Sequence, residues 1–267
     1  MNPMWRRGMV LVGFTVWLAQ AAAQTDELND LRRRATRGEM QAQNALGDMY
    51  DSGDGVPRDY VEAVRWFRLA ADQGFPDAQV NLGFNTLFGQ GLPQDDQNAA
   101  RWFRLAANQG HANAQAMLGE LYLVGRGVPQ SVNEGVQWMR MAAEQGFALA
   151  QNSLGDIYLS GTIGPTDETE AATWYTLAAQ QGLADAQLYL GAMYARGRGV
   201  SQDDGRAHMW LTLASSKLTG SRRGSALEQL TTLERRMTEQ QLAIAERLVE
   251  EWSPNGTGHI NPGRRQR

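Results

Sequence analysis

The apolar positions of this chain recur on two scales. Over residues 42–52 they fall three and four apart, the spacing of one helix face, and the pattern stops at Gly53, where the run from Gly53 to Pro57 forms a turn that no helix continues. A second helical stretch opens at Asp59, a residue type that caps helix N-termini, carries Ala63, Trp66, Phe67, Leu69, Ala70 and Ala71, and ends at Gln73-Gly74. The pair then repeats. Trp66, Trp102, Trp138, Trp174 and Trp210 stand 36 residues apart, and the same step carries Ala42, Ala78, Ala114, Ala150 and Ala186, each followed by glutamine. Leu46, Leu82, Leu118, Leu154 and Leu190, each before a glycine, keep the register, as do the loop glycines Gly53, Gly89, Gly125, Gly161 and Gly197. The counterparts of Asp59 are Asp95, Ser131, Asp167 and Asp203. Three of these N-caps are followed three places on by Glu62, Glu134 and Glu170, which predicts a reciprocal capping box.

At about 100° per residue, the apolar side chains of the second helix cover an arc of roughly 200°, more than one partner helix can bury. Neighbouring pairs must therefore share a core, and no single pair is stable alone. Gly47 and Ala70, with their equivalents, let helices approach closely. An interior tryptophan such as Trp138 is expected to fill the space between layers, so that Trp138→Ala costs about 3–5 kcal/mol.

These registers resemble the Sel1-like repeat family, related to the tetratricopeptide repeats, through A-Q-x-x-L-G-x-x-Y, then G-x-G-V-x-x-D, then A-x-x-W-x-x-x-A-A-x-x-G. The third unit carries them as Ala114, Leu118, Gly119, Tyr122, Gly125, Gly127, Val128, Trp138, Ala142, Ala143 and Gly146. The match covers five units, 42–77, 78–113, 114–149, 150–185 and 186–220. It departs from the pattern at Thr86, where tyrosine recurs, at Ile163-Gly164, and at Ser215-Ser216-Lys217. The resemblance implies an all-α, right-handed α-solenoid of helix-turn-helix repeats, a scaffold that binds protein and has no catalysis of its own.

The flanks read as caps. Residues 24–41 form an N-terminal capping helix, with Leu28, Leu31, Ala35 and Gly38 in register with a second helix. Residues 221–252 form two more helices, with Thr238 and Gln241 as a capping box between them, and 253–267 is a polar, Gly/Pro-rich tail. Residues 1–23 read as an export signal: Arg6 and Arg7, an apolar stretch from Gly8 to Leu18, and Ala21-Ala22-Ala23 before a cleavage point, with a retained membrane anchor as the alternative. No other stretch is apolar enough to cross a bilayer.

Composition removes most chemistries. The 267 residues contain no Cys and three His, so disulfides, thiolate metal sites and cysteine nucleophiles are excluded. A net charge of -4 argues against nucleic acid. There is no H-E-x-x-H, G-x-S-x-G or phosphate-loop motif, and pairs such as Gly125-Arg126-Gly127 join helices and lead into proline, as turns do. Some cysteine-rich secreted relatives are linked to penicillin binding or β-lactam hydrolysis; here the sole lysine, Lys217, has Ala214 three places before it, so no S-x-x-K exists. His111, in a turn between units, and His208, on a second helix, are far apart. No metal and no cofactor is expected.

On the first helix the recurrent residues 42, 43, 46, 47 and 50 span about 140°, leaving 44, 45, 48, 51 and 52 on the opposite side. That side varies between units and is the candidate groove. Its centre is Asp48, Phe84, Glu120, Asp156 and Ala192, and one turn earlier stand Asn44, Val80, Ala116, Asn152 and Leu188. Carboxylates and amides at both ends suit extended backbone, and Phe84, Leu87, Phe88 and Leu123 an apolar centre. The sequence therefore points to an exported, periplasmic or secreted, monomeric scaffold. It would hold an extended segment of another protein at Asn44, Asp48, Phe84, Leu87, Phe88, Glu120, Leu123, Asn152 and Asp156, as an assembly or regulatory adaptor. The alternatives are a peptidoglycan-associated envelope protein and a β-lactam-active hydrolase.

Overall fold

A computed structural model describes residues 26–254; the leader over 1–23 and the tail beyond 254 lie outside the described residues. Among the described residues the only regular elements are α-helices. No described helix is long and apolar enough to cross a membrane. The chain divides into two compact units, one formed by residues up to 114 together with 126–129, the other by 115–125 and 130 onward.

Unit 1 holds α1 (residues 26–36), α2 (Met40–Ser52), α3 (Tyr60–Ala71), α4 (Pro76–Phe88) and α5 (Asp96–Asn108). Unit 2 holds α6 (Ala112–Val124, entering the unit at Gln115), α7 (Val132–Glu144), α8 (Ala148–Ser160), α9 (Glu168–Gln180), α10 (Ala184–Arg196), α11 (Asp204–Lys217), α12 (Gly220–Glu234) and α13 (Glu239–Glu251). Each 36-residue repeat is one helix pair, and the helix pairs make an all-α solenoid fold.

The punctuation is built from local chemistry. Helix α2 ends at Gly53 with φ 80°, and α4, α8 and α10 end in the same left-handed cap at Gly89, Gly161 and Gly197. The N-cap side chains of Asp59, Asp95, Ser131, Asp167 and Asp203 all accept from a first-turn backbone N–H of the following helix. Each of these residues also donates its own backbone N–H back across the loop, Asp59 to the Tyr50 carbonyl at 2.8 Å and Asp203 to that of Tyr194 at 3.1 Å. Two of the three glutamates expected to close reciprocal boxes are used otherwise: Glu62 pairs with Arg65 and Glu170 accepts from Trp174 Nε1 at 3.0 Å. The box between Thr238 and Gln241 is complete.

In three of the five loops the second glycine has a different task. Gly91 and Gly127 in unit 1 and Gly199 in unit 2 have φ near 70°, and a Cβ built on them would lie 2.1, 2.1 and 2.0 Å from the carbonyl oxygens of Tyr60, Asp96 and Glu168. Each of these loops is thus seated on the start of the second helix of the preceding repeat. Beside two of these contacts a loop arginine pairs with a carboxylate, Arg126 with Asp96 at 2.9 Å and Arg198 with Glu168 at 2.5 Å.

Apolar clusters straddle the repeat boundaries within each unit. In unit 1, Ala63, Val64, Phe67, Ala70 and Ala71 of one repeat pack with Ala78, Leu82 and Trp102 of the next. In unit 2, Ala171, Ala172, Tyr175, Ala178 and Ala179 pack with Ala186, Leu190, Met209 and Trp210. A repeat cut out alone would expose half of its cluster, which is why the units form arrays.

Two expectations about this core need correction. Trp66, Trp102 and Trp138 are half-buried, and the tryptophans reach full burial only at Trp174 and Trp210. The buried wedge is the next residue, Phe67, Phe103, Met139, Tyr175 and Leu211. Four of these wedges lie against the glycines of the first helix: a Cβ on Gly47 would stand 2.6 Å from the Phe67 ring, with similar overlaps for Gly83, Gly155 and Gly191. Leu69 is exposed, so the buried arc of α3 is narrower than the sequence suggests and the tryptophan sits at its rim.

A buried glutamine pair ties the layers together. Gln151 Nε2 donates to the Ala143 carbonyl at 3.0 Å, and its Oε1 accepts from Gln181 Nε2 at 2.8 Å, 30 residues on. The pairs Gln43–Gln73 and Gln79–Gln109 in unit 1 and Gln115–Gln145 in unit 2 repeat the second contact. The run ends where Lys217 takes the register position of the fifth partner and donates to the Gly182 carbonyl, leaving Gln187 Oε1 buried without a partner.

Candidate partner-binding faces

In unit 1 the first helices α2 and α4 bring polar groups of two repeats together. Asn44 Nδ2 donates to Asp48 Oδ2 at 2.9 Å, and Asn81 Nδ2 donates to Asp48 Oδ1 at 2.8 Å and to Asn44 Oδ1 at 3.1 Å. Alongside, Asn85 Nδ2 donates to Asp51 Oδ1 at 3.3 Å and to the Asn81 carbonyl at 3.1 Å. The outer edge of Asp48 is exposed while its carboxyl sits among these amides. Burial, then the charges of Asp51 and Asp77, push it up to about 6, against the pull of the Asn81 hydrogen bond. Among the described residues neither Asp48 nor Asp51 forms an ion pair, whereas Asp77 meets His111 Nε2 at 3.0 Å.

Phe84 and Phe88, one turn apart on α4, stack with ring centroids 6.3 Å apart, and Phe84 meets Phe103 edge-on at 5.1 Å. Phe103 therefore supports an aromatic pair whose outer member, Phe88, is 59% exposed. Leu87 departs from the expected groove: it is 2% exposed and turned into the core.

In unit 2 the carboxylate at the corresponding position is met from two sides, while Asn152 Oδ1 is buried without a partner among the described residues. Asp156 accepts from Asn152 Nδ2 at 3.1 Å and from Tyr175 Oη at 2.6 Å. Burial pushes the Asp156 carboxyl and the Tyr175 hydroxyl upward, and for Tyr175 the Asp156 hydrogen bond adds to it. Tyr189 stacks on Tyr175 at 5.2 Å, and Arg222 on α12 neutralises Asp185 at 2.5 Å. Between α10 and α12 lies an open cavity of about 370 Å³ lined by Asp185, Leu188, Tyr189, Ala192, Arg196 and Arg222, among others. Glu120 is exposed. Leu123 leaves the groove, because Gly135 on α7 offers no side chain and Leu123 packs into the space: a Cβ there would lie 2.8 Å from Leu123 Cγ. The position one turn before the groove centre is likewise buried at Val80, Ala116 and Leu188.

Sequence reasoning passed over Asn81, Asn85, Tyr175, Tyr189 and Arg222. For Asn85 a signal exists: the same register position holds Met49, Leu121, Ile157 and Met193, so an amide stands where the other four repeats are apolar. With Phe84 and Thr86 beside it, the second repeat departs from the pattern at three adjacent positions.

Five helix pairs of one repeating pattern, with variable faces on the first helices, define an α-solenoid repeat protein. The chain belongs to the Sel1 repeat family, whose model matches residues 41–75, 76–111, 112–147, 148–183 and 184–217. Among solved structures, a Sel1 repeat protein from Oxalobacter formigenes is 39% identical with a TM-score of 0.71, over 76% of this chain and 59% of that one. A protective antigen present in uropathogenic Escherichia coli strains, displaying an SLR fold, is 29% identical with a TM-score of 0.55, over 90% and 59%. This chain thus spans about three fifths of the length of either. An immunity protein from Pseudomonas aeruginosa, 20% identical with a TM-score of 0.51 over 76% of this chain and 81% of that one, shares the fold. No curated protein matches the chain.

Proposed function

We propose that this chain is an exported, monomeric Sel1 repeat scaffold without chemistry of its own, which holds an extended segment of another protein along its first-helix faces as an assembly or regulatory adaptor. The observation that carries the reading is the α4 face, where an aromatic pair at Phe84 and Phe88, its outer member exposed, adjoins the amides and carboxylates of Asn81, Asn85, Asp48 and Asp51. An apolar anchor beside backbone-satisfying polar groups is what an extended segment requires. Export rests on the basic, apolar and small-residue succession of residues 1–23.

A photo-crosslinking residue placed at Phe88, with Leu69 on the second-helix face as control, tests the site in the cell envelope, with mass spectrometry as the readout. Crosslinks to one protein from position 88 and not from 69 are expected; equal capture from both positions, or none from 88, overturns the reading. Sequencing the N-terminus of the envelope-associated protein should find Gln24 first, and a retained Met1 would refute cleavage.

A further inference from the structure

The second repeat holds a feature that neither the fold nor the stacking explains. Asn85 occupies a core position that is apolar in the other four repeats, is only 3% exposed, and has its Oδ1 buried without a partner. Its amide head lies beside Asp51, one turn from Asp48, and among the described residues those two carboxylates form no ion pair. An unmet acceptor next to two unpaired carboxylates is a site short of donors and of positive charge. The matching region of unit 2 also holds an amide oxygen without a partner among the described residues, Asn152 Oδ1, but its carboxylates are met: Arg222 pairs with Asp185 and Tyr175 donates to Asp156.

We infer, building on the scaffold reading above, that Asp48, Asp51 and Asn85 form a notch for an arginine or lysine of the bound segment, whose neighbouring apolar side chain lies on Phe84 and Phe88. The guanidinium or ammonium supplies the donors that the carboxylates and the Asn85 oxygen lack. Spacing sets the motif. Asn85 and Phe88 are about one turn apart on α4, about 4.5 Å along the axis at roughly 1.5 Å per residue. An extended chain covers that distance in one to two residues at roughly 3.3 Å each, so the cation and the apolar anchor stand one or two positions apart. The raised Asp48 carboxyl fits the same picture, being a charge held at a cost until a cation arrives.

The test is panning of a displayed random-peptide library on the full chain, followed by fluorescence anisotropy with the recovered peptides synthesised. Peptides with Arg or Lys one or two positions from a large apolar residue should be enriched. Asp48→Asn and Asp51→Asn should each weaken them about tenfold, the size of a lost charged hydrogen bond, while Asp72→Asn on the second-helix face leaves affinity unchanged. Affinity should also fall as pH drops through about 6, where Asp48 gains its proton. Peptides that need Phe84 and Phe88 but are indifferent to Asp48 and Asp51, or enrichment of acidic peptides, overturn the cation notch and leave the groove standing. Failure to enrich any peptide sensitive to either set overturns both. Circular dichroism melting no lower than that of the wild type separates lost binding from lost fold.

Discussion

Replacing Gly199 by alanine probes the contact on which the spacing of the repeats depends. At φ 68°, an alanine pays about 1–2 kcal/mol for the left-handed conformation alone. Its Cβ would also stand 2.0 Å from the Glu168 carbonyl oxygen and 2.4 Å from the carbonyl carbon, both backbone atoms that cannot rotate away. The loop must lift by more than an ångström, which breaks the Arg198–Glu168 pair and separates the loop from the start of α9. The exposed ion pair adds at most about 1 kcal/mol, and the displaced contact accounts for the rest of a total of about 3–5 kcal/mol. Gly146→Ala is the control. Its φ of 88° carries the same strain, but nothing lies within 4 Å of the new Cβ, so the cost stays at about 1–2 kcal/mol. Urea unfolding followed by circular dichroism measures both, and Gly199→Ala should lose at least about 2 kcal/mol more than Gly146→Ala. Equal losses would mean that strain acts alone and that the loop does not bear on the preceding repeat.

Phe103→Ala should cost about 3–5 kcal/mol in the same assay, and the half-buried Trp102→Ala about half as much; the reverse order would restore tryptophan as the core wedge. Gln151→Leu removes the side-chain donor from the Ala143 carbonyl, which keeps the Gly146 N–H at 2.9 Å, and takes one acceptor from Gln181, and should cost about 1–2 kcal/mol; a neutral result would refute the glutamine pair as a tie between repeats. Asp48 binds its proton more readily folded than unfolded, so its contribution to stability falls as pH rises from about 4 to about 6 and stays lost above. Asp48→Asn should therefore raise the melting temperature at pH 7 relative to wild type and lose the advantage near pH 4, and a variant less stable at pH 7 would contradict the raised carboxyl.

What was legible in the sequence was what is decided locally and repeated. The cap at Asp59, the left-handed Gly53 and the box at Thr238 depend on a few neighbouring residues, and five copies of one pattern make chance agreement impossible. Burial was harder, because a helical wheel knows one axis and these helices are covered from two sides. Leu87 and Leu123 fall on the variable side of their helices yet are taken up by neighbouring elements, one turned to the core and one into the space over Gly135. Trp66 was given more of the core than it holds because bulk was read as depth; Phe67, one position on, points at the gap left by Gly47. The polar face was only half visible. Asp48 and Asn44 were found by their variability, whereas Asn85 needed a comparison of core positions between repeats, and the Arg222 that quiets Asp185 comes from a cap helix outside the period.

The glutamine pairs give the array a grammar of lengths. Each amide on a first helix looks back eight residues to a carbonyl and forward thirty to its partner, so excising or copying a block of one full period rejoins every amide to an equivalent mate. A cut out of phase strands one in the interior. A chain tied in this way changes length at least cost in whole periods, and Lys217, which leaves Gln187 Oε1 unanswered among the described residues, closes the run.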